Sequence, residues 1–518
     1  MSVTTAGPAW AREGLGPGGP KYPLAVEGPV MRAVDRLVPG LSGVTKYVRY
    51  PSLYAALAAH AQEERLDREE CRALLRRAEV LLAAVSGAPE PELTAADPTE
   101  QVWSAHGIDG VRPFSPQDGP VELALAAAAY SPRSWGFWDQ YGGPAQVLGL
   151  VELREGALRP GRHACPAPVR DLFAPLLALA RPGSDRIDGA ALAAARRAAL
   201  GAPCEAERAW LTSVMTASRH GVHRPGDWTA QDRTRRATLR LLARSVALHG
   251  EGQPSFLCVL RDTVAFGDQV AVDPVLAGIP EAAGWRGLLL RHYSVGAWRR
   301  LWAALVGEVA AHQGAADRSA ADLRAWLAGQ MPADLTLEQA LAGLGPLSDP
   351  DGHPRPVERV LMTTHPPSCW REVRLLLVGA LRSREGALGD DVRAVFLGRQ
   401  RLRREFLDPT WVEGLVREYG DRPLAEFAGR LVDDMLAQSR RVALAKIRTE
   451  RGTGRVKVFS RLHVRGERYF STGEESSAEI GTRVPQLGRF GLQLGLFERE
   501  GESLRVTPAG RAILEVSA

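Results

Sequence analysis

Apolar residues return every three or four positions through most of this chain, and the spacing shortens to two only in its basic C-terminal part. Leu74, Ala78, Leu81, Leu82 and Val85 form one such stripe, with Arg72, Arg76, Arg77 and Glu79 elsewhere on the cylinder. The same period predicts helices near 121–129, 169–179, 189–200, 205–217, 370–381, 390–404, 411–419 and 423–446. Trp298, Leu301, Trp302, Leu305 and Val309 mark another, and a tryptophan stripe at this spacing reads as core. The longest apolar runs, 123–130 and 172–180, are too short to cross a bilayer. With 518 residues, 45% hydrophobic and 24% charged, the chain can bury sizeable cores without metal or disulfide staples. The prediction is a mainly α, multi-domain helical protein with a small C-terminal winged-helix-like α+β unit.

Pro- and Gly-rich breaks divide this pattern. They predict a flexible tail over 1–25, an N-terminal helical domain over 26–165, a central helical domain over 166–345, a C-terminal helical domain over 357–450 and a final unit over 451–518. The segments 87–98 and 345–356 are the clearest linker candidates. Residues 14–21 resemble a phosphate loop, but no Ser or Thr follows Lys21 and Pro20 removes an amide, so tail is the better reading. Met1–Pro20 has no basic region followed by an apolar one, which predicts a cytoplasmic protein. Five scattered cysteines without a CxxC pair fit reduced thiols in such a compartment.

One segment occurs twice. Leu148-Gly149-Leu150-Val151-Glu152 is followed by Leu158-Arg159-Pro160-Gly161-Arg162, and Leu494-Gly495-Leu496-Phe497-Glu498 by Leu504-Arg505-Val506-Thr507-Pro508-Ala509-Gly510-Arg511. Both read as a helix end, a short hairpin and a helix start. The second copy resembles the closing part of bacterial winged-helix domains, with Thr507 as N-cap and Pro508 in the first turn. Winged helices also dock proteins, so this resemblance implies a fold and not DNA binding by itself.

The strongest functional signal lies between Arg440 and Phe470, where ten cations face only Glu450 and Glu467. An alternating strand there would place Arg455, Lys457, Phe459, Arg461, His463 and Arg465 on one face, and Val456, Val458, Ser460, Leu462 and Val464 on the other. A row of cations with an aromatic among them suits a phosphate backbone with adjacent bases. Arg455, Lys457, Phe459, Arg461, Arg465 and Arg468 are therefore the nucleic-acid-binding candidates, with DNA ahead of RNA. The competing readings are a solvated hairpin and a protein-docking face. Only four of the 65 cations are lysines, so arginine abundance partly reflects a GC-rich genome.

Catalytic and metal motifs are weak. His163 with Cys165, His220 with His223, and Cys204 between them match no zinc spacing. His365 and Cys369 are separated by two prolines, which favour a rigid turn over a dyad. The pairs Asp390–Asp391 and Asp433–Asp434 sit beside arginines on predicted helices, where surface ion pairs explain them. There is no Gly-x-Ser-x-Gly elbow, Walker-type loop or His-Glu-x-x-His helix. No metal or cofactor is expected, and no membrane contact.

The run Asp35-Arg36-Leu37-Val38-Pro39-Gly40-Leu41-Ser42, with Thr45, Arg49 and Tyr50, resembles the opening of uncharacterised bacterial proteins found near helicase and phospholipase-D-like genes in phage-defence islands. The stretch from Arg441 to Lys446, a hairpin and an LGL segment resemble them too. No activity comes with this resemblance. Physically, Pro39-Gly40 predicts a turn, and Pro51 predicts an extended Tyr50 before a helix beginning at Ser52. The expected function is a non-enzymatic nucleic-acid-binding or scaffold subunit of a bacterial antiviral defence system, with a helicase or nuclease as partner. The alternatives are a winged-helix transcriptional regulator and a nuclease on an unfamiliar fold.

Overall fold

The computed structural model describes residues 22–87, 105–115, 120–130, 136–218, 228–312, 317–398, 406–449 and 456–517. Most of the predicted tail, the 88–98 part of the first linker, 399–404 of a predicted helix, His220, His223 and Arg455 lie outside them. Along the chain the principal helices are α1 (Gly28–Leu37), α2 (Arg49–Glu63), α3 (Arg68–Ser86), α4 (Leu123–Ala129), α5 (Gly142–Val147), α6 (Ala167–Ala180), α7 (Glu205–Thr216), α8 (Ala230–His249) and α9 (Phe256–Val264). They continue with α10 (Glu281–Ala311), α11 (Ala320–Gly329), α12 (Val357–Thr363), α13 (Cys369–Arg382), α14 (Asp390–Phe396), α15 (Pro409–Tyr419), α16 (Leu424–Ala445), α17 (Val484–Gln493) and α18 (Pro508–Leu514). The principal strands are β1 (Val151–Arg154), β2 (Ala157–Pro160), β3 (Arg318–Ser319), β4 (Arg448–Thr449), β5 (Val456–Lys457), β6 (Leu462–Arg465), β7 (Arg468–Ser471), β8 (Phe497–Glu500) and β9 (Ser503–Val506). The protein is mainly helical with small antiparallel sheets.

The chain forms two compact units, each assembled from separated segments. One combines Val34–Thr263, Asp273–Glu281 and Thr482–Ala518; the other combines Met1–Ala33, Val264–Val272 and Ala282–Gly481. The predicted final unit over 451–518 is thus shared between them, and 345–356 lies inside the second.

In the first unit α3 starts on a reciprocal cap. The Asp67 carboxylate accepts from the Glu69 and Glu70 amides, and Glu70 accepts from the Asp67 amide at 2.8 Å. Its predicted stripe is buried, and α3 packs against α4 and α6. Helix ends here share one device. Four helical carbonyls at the end of a helix lack intrahelical donors, and arginines from neighbouring helices supply them. Arg235 and Arg236 donate to Val214, Met215 and Thr216 at the end of α7, and Arg77 donates to Ala180 at the end of α6.

Both copies of the repeated segment take the same local form. In each, the amide of the second leucine reaches back to close the helix, from Leu150 to the Ala145 carbonyl at 3.0 Å and from Leu496 to the Gly491 carbonyl at 2.8 Å. Gly149 and Gly495 both adopt φ +73°, the left-handed conformation this closure requires. Four-residue strands follow in identical register, Val151↔Pro160 and Phe497↔Val506, joined by two-residue turns. Thr507 caps α18 as expected, its hydroxyl accepting from the Gly510 amide at 2.9 Å.

Three of the residues that carried the resemblance work inside the first unit. Gly40 takes φ +85°, Arg49 is buried on Glu207 at 3.2 Å, and Tyr50 stacks on Tyr141. The expectation of an extended Tyr50 is corrected: α2 begins at Arg49. Pro51 falls in the first turn, where its missing N–H has no intrahelical acceptor to lose.

In the second unit α10 spans 31 residues and is buried nearly all round, with Trp285, Trp298 and Trp302 as its largest side chains. A helix with so little exposed circumference belongs in a core, and even Arg291 and His292 are buried there. α11 packs on α16 and α13 on α15. Arg382 is buried against Glu358, which holds α12 to α13.

Candidate nucleic-acid interface

The strands β6 and β7 form an antiparallel hairpin through the turn at Gly466 (φ +64°), and β7 also pairs with β3. The register sets His463 opposite Phe470, Val464 opposite Tyr469, and Arg465 opposite Arg468. Directly opposed residues share a face, so His463, Phe470, Arg465 and Arg468 lie on one side. The His463 ring stacks on Phe470 at 5.3 Å, and the Arg465 guanidinium stands 4.9 Å from the same ring. Phe470 is half-buried, while Arg465 and Arg468 are exposed. Arg468 also donates to the Asp317 carbonyl at 2.5 Å.

On the other face Tyr469 is half-buried, and burial raises its hydroxyl above the ordinary range while Arg440 and Arg324 pull it down. That side leads to a 450 Å³ groove between α11 and α16, bordered by Arg324, Tyr419, Arg422 and Arg430. Its arginines are matched by carboxylates: Arg324 pairs with Asp433, Arg422 with Glu426 and Arg430 with Asp434.

The predicted single strand is interrupted. Val456 and Lys457 pair with β4, and β6 starts only at Leu462. Between them Val458 and Ser460 are buried, and the Ser460 hydroxyl donates to the Leu462 carbonyl at 2.6 Å. The expected two-face alternation therefore fails, because Leu462 and His463 are both buried. His463 is buried at the base of the face whose tip carries Arg465 and Arg468.

The candidates consequently separate. Arg465 and Arg468 come together at the hairpin tip. Arg461 does not join them; it is half-buried, donates to the Glu474 carbonyl and borders a different cavity. Phe459 is half-buried in the connecting segment. Lys457 is placed only by its backbone in β5, and Arg455 is outside the described residues.

Elsewhere, no group of three or more His, Cys, Asp or Glu among the described residues is arranged to hold a metal ion. His163 is buried beside Trp228, and burial pushes the Cys165 thiol up to about 12. Burial, with Glu372 nearby, pushes the Cys369 thiol up to about 11, far from the thiolate a nucleophile needs. Asp433 and Asp434 hold Arg324 and Arg430. No protein-family model, curated protein or solved structure matches the chain.

Proposed function

We propose that this chain is a non-enzymatic nucleic-acid-binding or scaffold subunit of a bacterial antiviral defence system, contacting phosphate through the tip of the β6–β7 hairpin. The observation that carries this reading is the direct opposition of Arg465 and Arg468. Like charges facing each other across a hairpin cost it stability, and an external anion is the natural compensation for two exposed guanidiniums. Phe470 lies beneath the Arg465 guanidinium and adds a ring face near the anion. Arg455 and Lys457 extend the cationic set on sequence grounds alone. The defence setting rests on the resemblance of residues 35–50 and 441–446, and catalysis in this reading belongs to a partner helicase or nuclease.

The segment from α17 to α18 follows a winged-helix order, which is the support for that finer description. Its use as an operator reader is less favoured. Gln486 and Gln493 of α17 donate to the Gly43 and Lys46 carbonyls, so the polar edge that would enter a groove is occupied by protein.

The test is fluorescence anisotropy against single- and double-stranded DNA and RNA across a salt series. Log affinity should fall linearly with log salt. Arg465→Ala with Arg468→Ala should make that slope shallower by about 2, one for each phosphate no longer neutralised. Wild-type affinity and slope in the double variant would remove the hairpin from the reading. No binding to any of the four would leave a protein-docking scaffold.

A further inference from the structure

Arg461 and Glu475 flank the β6–β7 hairpin in sequence, and both border a cavity of 260 Å³ in the second unit. Glu27, Arg299, Trp302 and Glu479 complete its polar lining. Glu27 is 1% exposed; one carboxylate oxygen accepts from Arg299 at 2.8 Å, and the other is buried without a hydrogen-bond partner. One oxygen of Glu475 is in the same state, as are the Arg461 Nε–H and the Trp302 indole N–H, which faces the Glu475 carboxyl. Two acceptors and one donor are thus left unsatisfied on charged residues around one small space. Buried polar groups without partners each cost on the order of 1–3 kcal/mol, and such groups in native proteins are explained by an ordered water, a bound ion or ligand, a catalytic role or a functional strain.

The chemistry of these groups restricts what could satisfy them. The carboxylates call for N–H donors bearing positive charge, and Arg461 calls for an oxyanion. The acids are not arranged to hold a metal ion. The volume lies just below that of common ligand pockets, which limits the occupant to a few heavy atoms. We infer that this cavity is a binding site for a small zwitterion of the amino-acid class, its ammonium on Glu27 and Glu475 and its carboxylate on Arg461. Burial raises both carboxyls above their ordinary range, with Arg299 opposing it at Glu27 and Arg461 at Glu475. A bound ammonium offsets that cost directly. Arg299, Arg461 and the neighbouring Lys446, which donates to the Tyr22 carbonyl and whose charge acts on Glu27 and Glu475, balance the three acids Glu27, Glu475 and Glu479. That balance favours a ligand carrying both signs over a simple cation.

The experiment is isothermal titration of the full chain with each of the free L-amino acids, with putrescine and acetate as single-charge comparisons. At least one amino acid should bind, while putrescine and acetate should not. Glu475→Gln keeps the side-chain volume and should weaken that amino acid at least tenfold. Ser476→Trp fills the exposed mouth without touching the core and should abolish binding, with thermal unfolding of the unliganded protein unchanged. Binding of putrescine but of no amino acid would overturn the inference. So would the absence of binding by every probe, or binding to both variants as to wild type.

Discussion

Glu79 on α3 offers a sharp test of how the first unit is held together. Its carboxylate is 3% exposed and lies among Tyr54, Phe137 and Tyr141. One oxygen accepts from the Tyr54 hydroxyl at 2.7 Å and from the Phe137 amide at 2.8 Å. Those bonds and Arg76 favour the ion, but burial outweighs them and raises the carboxyl from an ordinary 4.5 to about 7. The folded state therefore holds this proton more tightly than the unfolded state. Stability from the group is fully present below 4.5 and is lost as pH rises through about 7. At 1.36 kcal/mol per pH unit, the full loss is about 3 kcal/mol. Glu79→Gln keeps the acceptor oxygen and cannot ionise, so its stability should escape this loss. Between pH 5 and pH 8 the variant should gain about 2–3 kcal/mol on wild type, or about 5–10 °C in melting temperature. Tyr50, Tyr54, Tyr130 and Tyr141 are all raised by burial and stay neutral throughout this range. Calorimetric melts of both proteins at half-unit pH steps measure the difference. An offset that stays constant with pH would refute the reasoning, because it would mean that Glu79 does not gain a proton on folding.

Arg382→Met should cost about 3–5 kcal/mol in denaturant unfolding by stranding Glu358, and adding Glu358→Leu should recover most of it. Gly495→Ala should cost about 1 kcal/mol for its φ of +73°, and Gly149→Ala should cost more in the same denaturant melts, because a Cβ there would also lie 2.5 Å from the Arg162 guanidinium; equal costs would refute this. Gly491→Ala should cost about 1–3 kcal/mol, because a Cβ there would lie 2.2 Å from the Phe497 ring. Arg461→Ala should leave the salt slope of nucleic-acid binding alone, unlike the Arg465 and Arg468 pair, because Arg461 turns to the Glu474 carbonyl and away from the hairpin tip.

The helices were the most legible part of this chain, for a physical reason. A long amphipathic helix repeats its instruction every turn, so α3, α6, α13 and α16 follow their stripes to within a few residues. The LGL segments were legible for a different reason, because a glycine between two leucines at a helix end answers to one backbone conformation. Short strands repeat too little to resist tertiary context. The alternation from Val456 to Val464 continues unbroken in sequence, yet one strand ends at Lys457 and the next begins only at Leu462, with the Ser460 hydroxyl bonded to the Leu462 carbonyl between them. The cavity was invisible to spacing, since Glu27, Trp302 and Glu475 meet only through the fold.

The cationic count misled in a more general way. Sequence treats every arginine as a charge that can face a phosphate, but a guanidinium has five N–H donors in a fixed fork and serves equally well as a cap for stranded carbonyls. Arg235 is fully buried and divides its fork between Asp232 and the end of α7. Arg236 and Arg240 close α18 through the Ile513 and Leu514 carbonyls, and Arg159 reaches the Leu66 carbonyl. In a chain whose cations are nearly all arginine, local net charge therefore measures unsatisfied backbone as much as surface potential. What distinguishes Arg465 and Arg468 is not their place in a basic run but their register. They face each other across two strands, where their mutual repulsion opposes the fold, although Arg468 also gives one donor to the Asp317 carbonyl.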